Sequence, residues 1–382
     1  MQSKPRGLAA QLILLILAST GIIFLAAFTY NLVASKQAVI EQVGENARHL
    51  TLETAYRIEA MLQAVMKIPG NLAAVIEDYP HRQAELQRLM RRTVANNREV
   101  FGVAVAFEPY AFDPRHNYFC PYCFREGQEI KITYLGSESY RYFYYDWYQL
   151  PQELSQAMWS EPYFDEGGGN IIMSTYSVPF YRREGSVRRF QGVVTADLSL
   201  MWLQDLVSAV KIYQSGYAFL ISGNGVFVTH PNTQWIMRES VFSLAEARGD
   251  PSLRRLGRDM IRGGSGFVPL LDFHSGKKSW LFYAPLPSTG WSLAVVIPEQ
   301  ELFAEVHSLS RKIFGIIMLG LLLLAVVIVA ISKTIARPLR ILARQTAAIA
   351  QGDFNATVPE TGVREVANLA QSFNEMGRQL TD

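Results

Sequence analysis

The order of apolar and polar positions divides the chain into three textures. Two runs, "LAAQLILLILASTGIIFLAAF" (8–28) and "IFGIIMLGLLLLAVVIVAIS" (313–332), are continuously apolar and uncharged, each about as long as a helix that crosses a bilayer. The first exceeds the usual core of a signal peptide, and Leu32 with Ala34 makes a poor cleavage site, so it reads as an uncleaved span. Between the runs the pattern is first helical and then alternating. Val39, Val43, Ala47, Leu50, Ile58, Leu62 and Val65 recur at steps of three and four or their multiples. They predict an amphipathic helix over 36–66 that continues the first span and stops at Pro69-Gly70. A second helix is predicted over 81–96 and a strand over 101–109.

Residues 159–200 read as strand, "DEGGGN" turn, strand, "RREGS" turn, strand, which is an antiparallel meander. A short helix (200–210), a hairpin (216–231), a helical insert (239–262) and a final hairpin (280–302) follow. The predicted class is α+β: two antiparallel-sheet modules flanked by helices, covering 31–210 and 211–300. The third texture is heptad-like. Ile335, Leu339, Leu342, Thr346 and Ile349 step by 4, 3, 4 and 3, and Val366, Leu369, Phe373, Met376 and Leu380 by 3, 4, 3 and 4. Two seams this short cannot bury themselves as a lone pair, so a four-helix bundle from two chains is expected.

Composition locates the function outside several classes. Of 382 residues, 49% are hydrophobic and 18% charged, and the surplus apolar residues are those of the two spans. A net charge of +2 without a basic, aromatic-interleaved run gives no sign of nucleic-acid binding. Lys4 and Arg6 precede the first span (8–30), and Lys333, Arg337, Arg340 and Arg344 follow the second (311–333). By the positive-inside bias residues 1–7 and 334–382 are cytoplasmic, and 31–310 lie outside an inner membrane. No nucleophile–base pairing, phosphate loop or metalloprotease motif is present, and His230 and His274 are isolated, so a binder is expected rather than an enzyme.

Two clusters carry candidate chemistry. "YFCPYCF" (118–124) holds the only cysteines, Cys120 and Cys123. Their Cys-x-x-Cys spacing admits a local disulfide, two plain thiols, half of a metal site or a thiol–disulfide function. A metal lacks partners: the nearest histidine is His116, and there is no second Cys-x-x-Cys. "SYRYFYYDWYQLP" (139–151) packs seven aromatic rings into nine positions, read mainly as a core strand. Downstream, Asp165 sits at a turn and Asp197 at an apolar strand end, where a carboxylate needs a partner. Rings and carboxylates converging in one concavity suit a cationic ligand.

On these residues, 36–300 resembles the double Cache (tandem PAS-like) sensors, with a long helix, a membrane-distal ligand module and a smaller membrane-proximal one. Amino-acid-binding members carry Tyr, then Arg-x-Trp-Tyr, then Asp in Tyr-x-Asp, then a late-strand Asp. The resemblance implies ligand contacts from Tyr140, Tyr145, Asp146, Trp147, Tyr148, Asp165 and Asp197. Tyr145 stands where the arginine fork would grip an α-carboxylate, and a phenol cannot replace that charge. An amine or quaternary ammonium ligand is therefore expected over an α-amino acid, unless Arg141 supplies the fork. Residues 334–382 resemble a HAMP domain, with Pro338 soon after the membrane, Gly352-Asp353 closing its first helix and Glu365 opening its second. The resemblance implies a homodimer, through HAMP and the N-terminal helix, that relays ligand binding to a cytoplasmic output module. It implies no cofactor. The rivals are a thiol–disulfide protein using Cys120 and Cys123, and a membrane scaffold without ligand.

Overall fold

The structure, a computed structural model, describes residues 8–78, 82–185, 187–210, 212–349, 351, 357–359 and 363–381. The chain divides into two units, residues 40–302 and a second formed by 1–39 with 303–382.

The first helix, α1 (Leu8–Asp78), is a single element running from the first apolar run into the 40–302 unit. Pro69 does not end it. Leu72 and Ala73, beyond the proline, are buried with Val65 in the core, and that burial outweighs the hydrogen bond the proline cannot donate. α2 (Gln83–Asn96) follows and buries Leu86, Met90 and Val94 at four-residue steps.

A seven-stranded antiparallel sheet comes next. It comprises β1 (Gly102–Phe107), β2 (Cys120–Glu126), β3 (Glu129–Leu135), β4 (Met158–Trp159), β5 (Tyr163–Phe164), β6 (Ile172–Glu184) and β7 (Val187–Ser199). The order is β3-β2-β1-β7-β6-β4, with β5 on the side of β6. Strand alternation sends successive side chains to opposite faces. Val103, Val105, Cys123, Val194 and Ala196 meet α1 and α2 on one face; Ala104, Cys120, Tyr122 and Val193 point to the other.

The aromatic block covers that second face, and it is helical where a strand was expected. Tyr142–Tyr144 forms a 3-10 turn and α3 spans Asp146–Leu154. Helical spacing brings Trp147, Tyr148 and Pro151 inward together, and Asp146 sits in the first turn, where a carboxylate suits the helix dipole. The buried phenols find polar partners: Tyr142 Oη donates to the Phe107 carbonyl at 2.6 Å and Tyr148 Oη to Glu108 at 2.8 Å.

After α4 (Leu200–Ser208) comes a five-stranded antiparallel sheet of order β10-β11-β12-β8-β9. Its strands are β8 (Tyr217–Ile221), β9 (Phe227–Thr229), β10 (Gly266–Leu271), β11 (Lys278–Leu286) and β12 (Trp291–Pro298). α5 (Val241–Arg248) and α6 (Pro251–Ile261) form the predicted insert, and α7 (Glu299–Leu302) ends the unit. His230, buried among Phe219, Phe227, Trp235 and Phe273, is held as a neutral imidazole. Burial pushes it down to about 3, and its Nδ1 accepts from the Asn232 N–H at 2.9 Å.

In the other unit, α8 (Ala304–Ile331) carries the second apolar run. Among the described residues two helices, α1 and α8 with its continuation, are long and apolar enough to cross a membrane. A π turn, Ser332–Ala336, joins α8 to α9 (Arg337–Ile349), with the Arg337 N–H reaching back to the Ser332 carbonyl. Pro338, second in α9, has no N–H to continue the ladder, and the wider turn lies just before it. α10 (Arg364–Thr381) begins with Glu365 in its first turn and packs Ala370 and Phe373 with Ile341, Leu342, Ile349 and Val358. The Asn374 side-chain amide holds the connector: it accepts from the Val358 N–H at 2.8 Å and donates to the Val358 carbonyl at 2.9 Å. Gly352 and Asp353 lie outside the described residues.

Candidate ligand-binding site

The site lies on the face of the seven-stranded sheet opposite α1 and α2, and strand register builds it. Asp197 of β7 pairs with Gly102 of β1 on one side and Thr175 of β6 on the other. Two residues back along β7, Thr195 shares its face, and its Oγ1 accepts from the Ala104 N–H at 3.0 Å. Thr175 Oγ1 donates to Asp197 Oδ1 at 2.8 Å, and the Tyr163 hydroxyl lies 2.7 Å from Thr175 Oγ1. The turn after β5 brings in Asp165, whose Oδ2 accepts from the Gly169 N–H at 2.6 Å. Gly168 must be small, because a Cβ there would meet Asp165 Oδ2 and come within 3.0 Å of the Tyr122 ring. Tyr140, Trp147 and Leu135 close the cavity, whose remaining free space of about 10 Å³ holds about one water.

Two carboxylates thus face one small, largely buried space, and no Lys, Arg or His side chain is among the residues lining it. Burial raises both from the ordinary carboxylate range. Asp197 is pushed up to about 7, first by burial and then by the neighbouring Asp165, with the Thr175 hydroxyl pulling the other way. Asp165 is raised by burial, partly offset by the Gly169 N–H. Buried acids in this state favour either a shared proton or an incoming cation.

Of the residues singled out in the sequence, Tyr140, Trp147, Asp165 and Asp197 come together here. Three do not line the cavity. Tyr145 is 39% exposed and stacks on the back of Tyr140, with centroids 4.7 Å apart. Asp146 points to solvent from the first turn of α3, because helical rather than strand geometry turns it away from Trp147. Tyr148 is buried one layer back against Tyr142 and Glu108. Arg141 supplies no fork: it pairs with Glu138 at 2.7 Å on the surface and sits over Tyr144. Sequence reasoning missed Tyr122, Tyr163, Thr175 and Thr195. The signal for the threonines was present, as period-two neighbours of Asp197 on β7 and of its partner strand.

Cys120 and Cys123 are both buried and free. Three residues apart on β2, they fall on opposite faces of the sheet, Cys120 toward the site and Cys123 toward α2, so neither a disulfide nor a shared metal can join them. Burial pushes the Cys123 thiol up to about 11 and also raises Cys120, helped there by Asp197 and Asp165, whereas a reactive thiol needs a lowered value. The segment is a core strand. Among the described residues no group of three or more His, Cys, Asp or Glu side chains is placed to hold a metal ion.

Comparison with known proteins agrees with this architecture. Residues 86–205 match the family model described as methyl-accepting chemotaxis protein-like, first PDC sensor domain, and residues 330–382 match the HAMP domain. Methyl-accepting chemotaxis protein TlpB of Bacillus subtilis (strain 168) is 26% identical over 244 residues, 62% of this chain and 32% of that protein. PctB of Pseudomonas aeruginosa is 25% identical over 239 residues, 61% of this chain and 35% of that protein. The chain spans about a third of the length of these curated relatives. Among solved structures, the extracellular domain of mmHK1S-Z3, described as a histidine kinase, superposes with a TM-score of 0.61 at 27% identity, covering 71% of this chain and 98% of that one. The chain therefore carries a PDC/Cache-like sensor domain and a HAMP domain, and is homologous to methyl-accepting chemotaxis proteins and to the extracellular domains of sensor histidine kinases.

Proposed function

We propose that this chemoreceptor-like sensor binds a small cationic amine in the cavity around Asp165 and Asp197. Residues 31–310 would lie outside an inner membrane, the signal passing through α8 and the HAMP helices of a homodimer to a cytoplasmic output. The observation that carries the ligand class is the pair of buried carboxylates in a cavity lined by rings and lacking any cationic side chain. An ammonium group would place one compensating charge between the two acids, and Tyr140, Trp147 and Tyr163 would face it. PctB, whose ligand-binding domain has been solved with L-Arg, supports an amino-acid-like ligand only loosely. Tyr145, at the place of the carboxylate-gripping arginine, and Arg141, occupied by Glu138, both favour an amine without a carboxylate.

Titration calorimetry on the full chain in detergent tests this. Alkylamines should bind, the isosteric alcohols should not, and Asp197→Asn should weaken the amines about 100-fold, as expected for losing a charge-assisted contact. Equal binding of amine and alcohol, or an Asp197→Asn protein that binds as the original does, would sink the reading.

A further inference from the structure

One group in this cavity is unexplained by two carboxylates. Tyr122, the tyrosine of Cys-Pro-Tyr-Cys, is 1% exposed, and its buried hydroxyl lies beside Asp197, the one carboxylate its O–H can reach.

Its position is specified by the chain. Tyr122 pairs with Ala104 across β1 and β2, and Gly102 lies two residues along β1 on the same face, directly opposite Asp197 on β7. The ring lies over Gly102. A Cβ at that position would come within 2.5 Å of the Tyr122 oxygen and 2.7 Å of the ring. Gly168 gives way to the same ring from the loop of Asp165. Two missing side chains therefore make room for one phenol, aimed between the two acids.

We infer that Tyr122 is a specificity-determining ligand contact. Its hydroxyl oxygen is the third acceptor, beside Asp165 and Asp197, for the N–H bonds of a primary ammonium group, so the site selects N–H-bearing amines over quaternary ones. This rests on the amine reading above. A phenol next to two carboxylates turns its own O–H toward an acid and leaves its lone pairs facing the cavity. Three acceptors match the three N–H bonds of R–NH₃⁺. A trimethylammonium group of equal charge offers none, would give the hydroxyl's lone pairs no donor, and would need more volume than the about 10 Å³ of free space.

The test is calorimetry on the full chain with propylamine and with propyltrimethylammonium, for the original protein and for Tyr122→Phe. The original should prefer propylamine by at least about tenfold. Tyr122→Phe should weaken propylamine about tenfold and leave propyltrimethylammonium within about twofold, so that the preference collapses. Two results overturn the inference while keeping the amine reading: unchanged propylamine affinity in Tyr122→Phe, or equal loss for both ligands. If the original protein binds neither cation, the amine reading itself falls and this inference with it. Tyr122→Phe removes one oxygen and its hydrogen bond to Asp197, and a single cooperative thermal transition without ligand shows that the variant folds. Gly102→Ala, which pushes the ring aside, should give the same selective loss of propylamine; if it spares propylamine while displacing Tyr122, the inference fails.

Discussion

Asp197 determines how the site behaves with pH. Its folded value is raised to about 7, above the ordinary carboxylate range, so the folded chain holds a proton there that the unfolded chain has released. The sign follows from linkage: this contribution to stability is fully present below about pH 4 and is lost as pH rises through 7. Asp197→Asn, which keeps the Thr175 hydrogen bond, should thus raise the unfolding free energy by about 1–3 kcal/mol at pH 8 and leave it nearly unchanged at pH 4. Thermal unfolding of both proteins at the two pH values checks this, and a variant no more stable at pH 8 than the original would show that Asp197 carries no such burden. The same linkage makes a cation displace the proton, so propylamine affinity should be about tenfold weaker at pH 6 than at pH 8. Much at this scale was legible in the sequence. An aspartate in "VTADLSL" stands out because apolar strand ends rarely hold an unpaired acid. Tyr122 was hidden because the cysteines on either side of it drew the chemical reading, and only register shows that Gly102 clears its path.

Element identities were legible wherever one period persisted: α2, β6, β7 and the two HAMP helices each keep theirs. They failed where tertiary burial overruled a local signal, at Pro69 within α1 and in the aromatic block, whose rings suited a strand until Trp147, Tyr148 and Pro151 had to face one core together. The relation between the two sheets could not be read from any single element. β4 lies at the edge of the first sheet, and its Trp159 meets Trp291 of β12 in the second, with centroids 6.4 Å apart. Trp159 stands on the strand that hydrogen-bonds through Ser160 to Thr175, the residue that holds Asp197. The turn before Trp291 is also tied to α1, where Glu59 accepts from the Ser288 N–H at 3.2 Å. A double-mutant cycle on Trp159→Ala and Trp291→Ala should therefore give a coupling of about 1 kcal/mol in denaturant unfolding. Strict additivity would mean that the sheets are not joined through these rings.

At the scale of the whole molecule, the proposed homodimer would bring a second copy to the helical relay. In one chain α9 and α10 bury Phe373, Ala370 and Val358 but leave Leu339, Leu369 and Met376 exposed by 42, 49 and 45%. These three occupy the heptad seam read from the sequence, so the single-chain pair uses only part of its apolar surface. Exposed leucine and methionine at seam spacing favour association into a four-helix bundle, and no membrane explanation serves α10, whose polar positions carry Glu365, Gln371 and Glu375 rather than a lysine-rich face. We therefore expect Leu369→Glu combined with Met376→Glu to shift the full chain in detergent from dimer toward monomer, read by light scattering with the detergent contribution subtracted. Ser372→Glu, exposed and off the seam, should leave the mass unchanged. Because association stabilises by mass action, the original protein should also melt higher as its concentration rises, and the double variant should lose that dependence. A double variant that keeps the original mass would show that the seam is not the dimer contact. The assembly would then have to rest on α1, whose exposed Tyr56 is the next surface to alter.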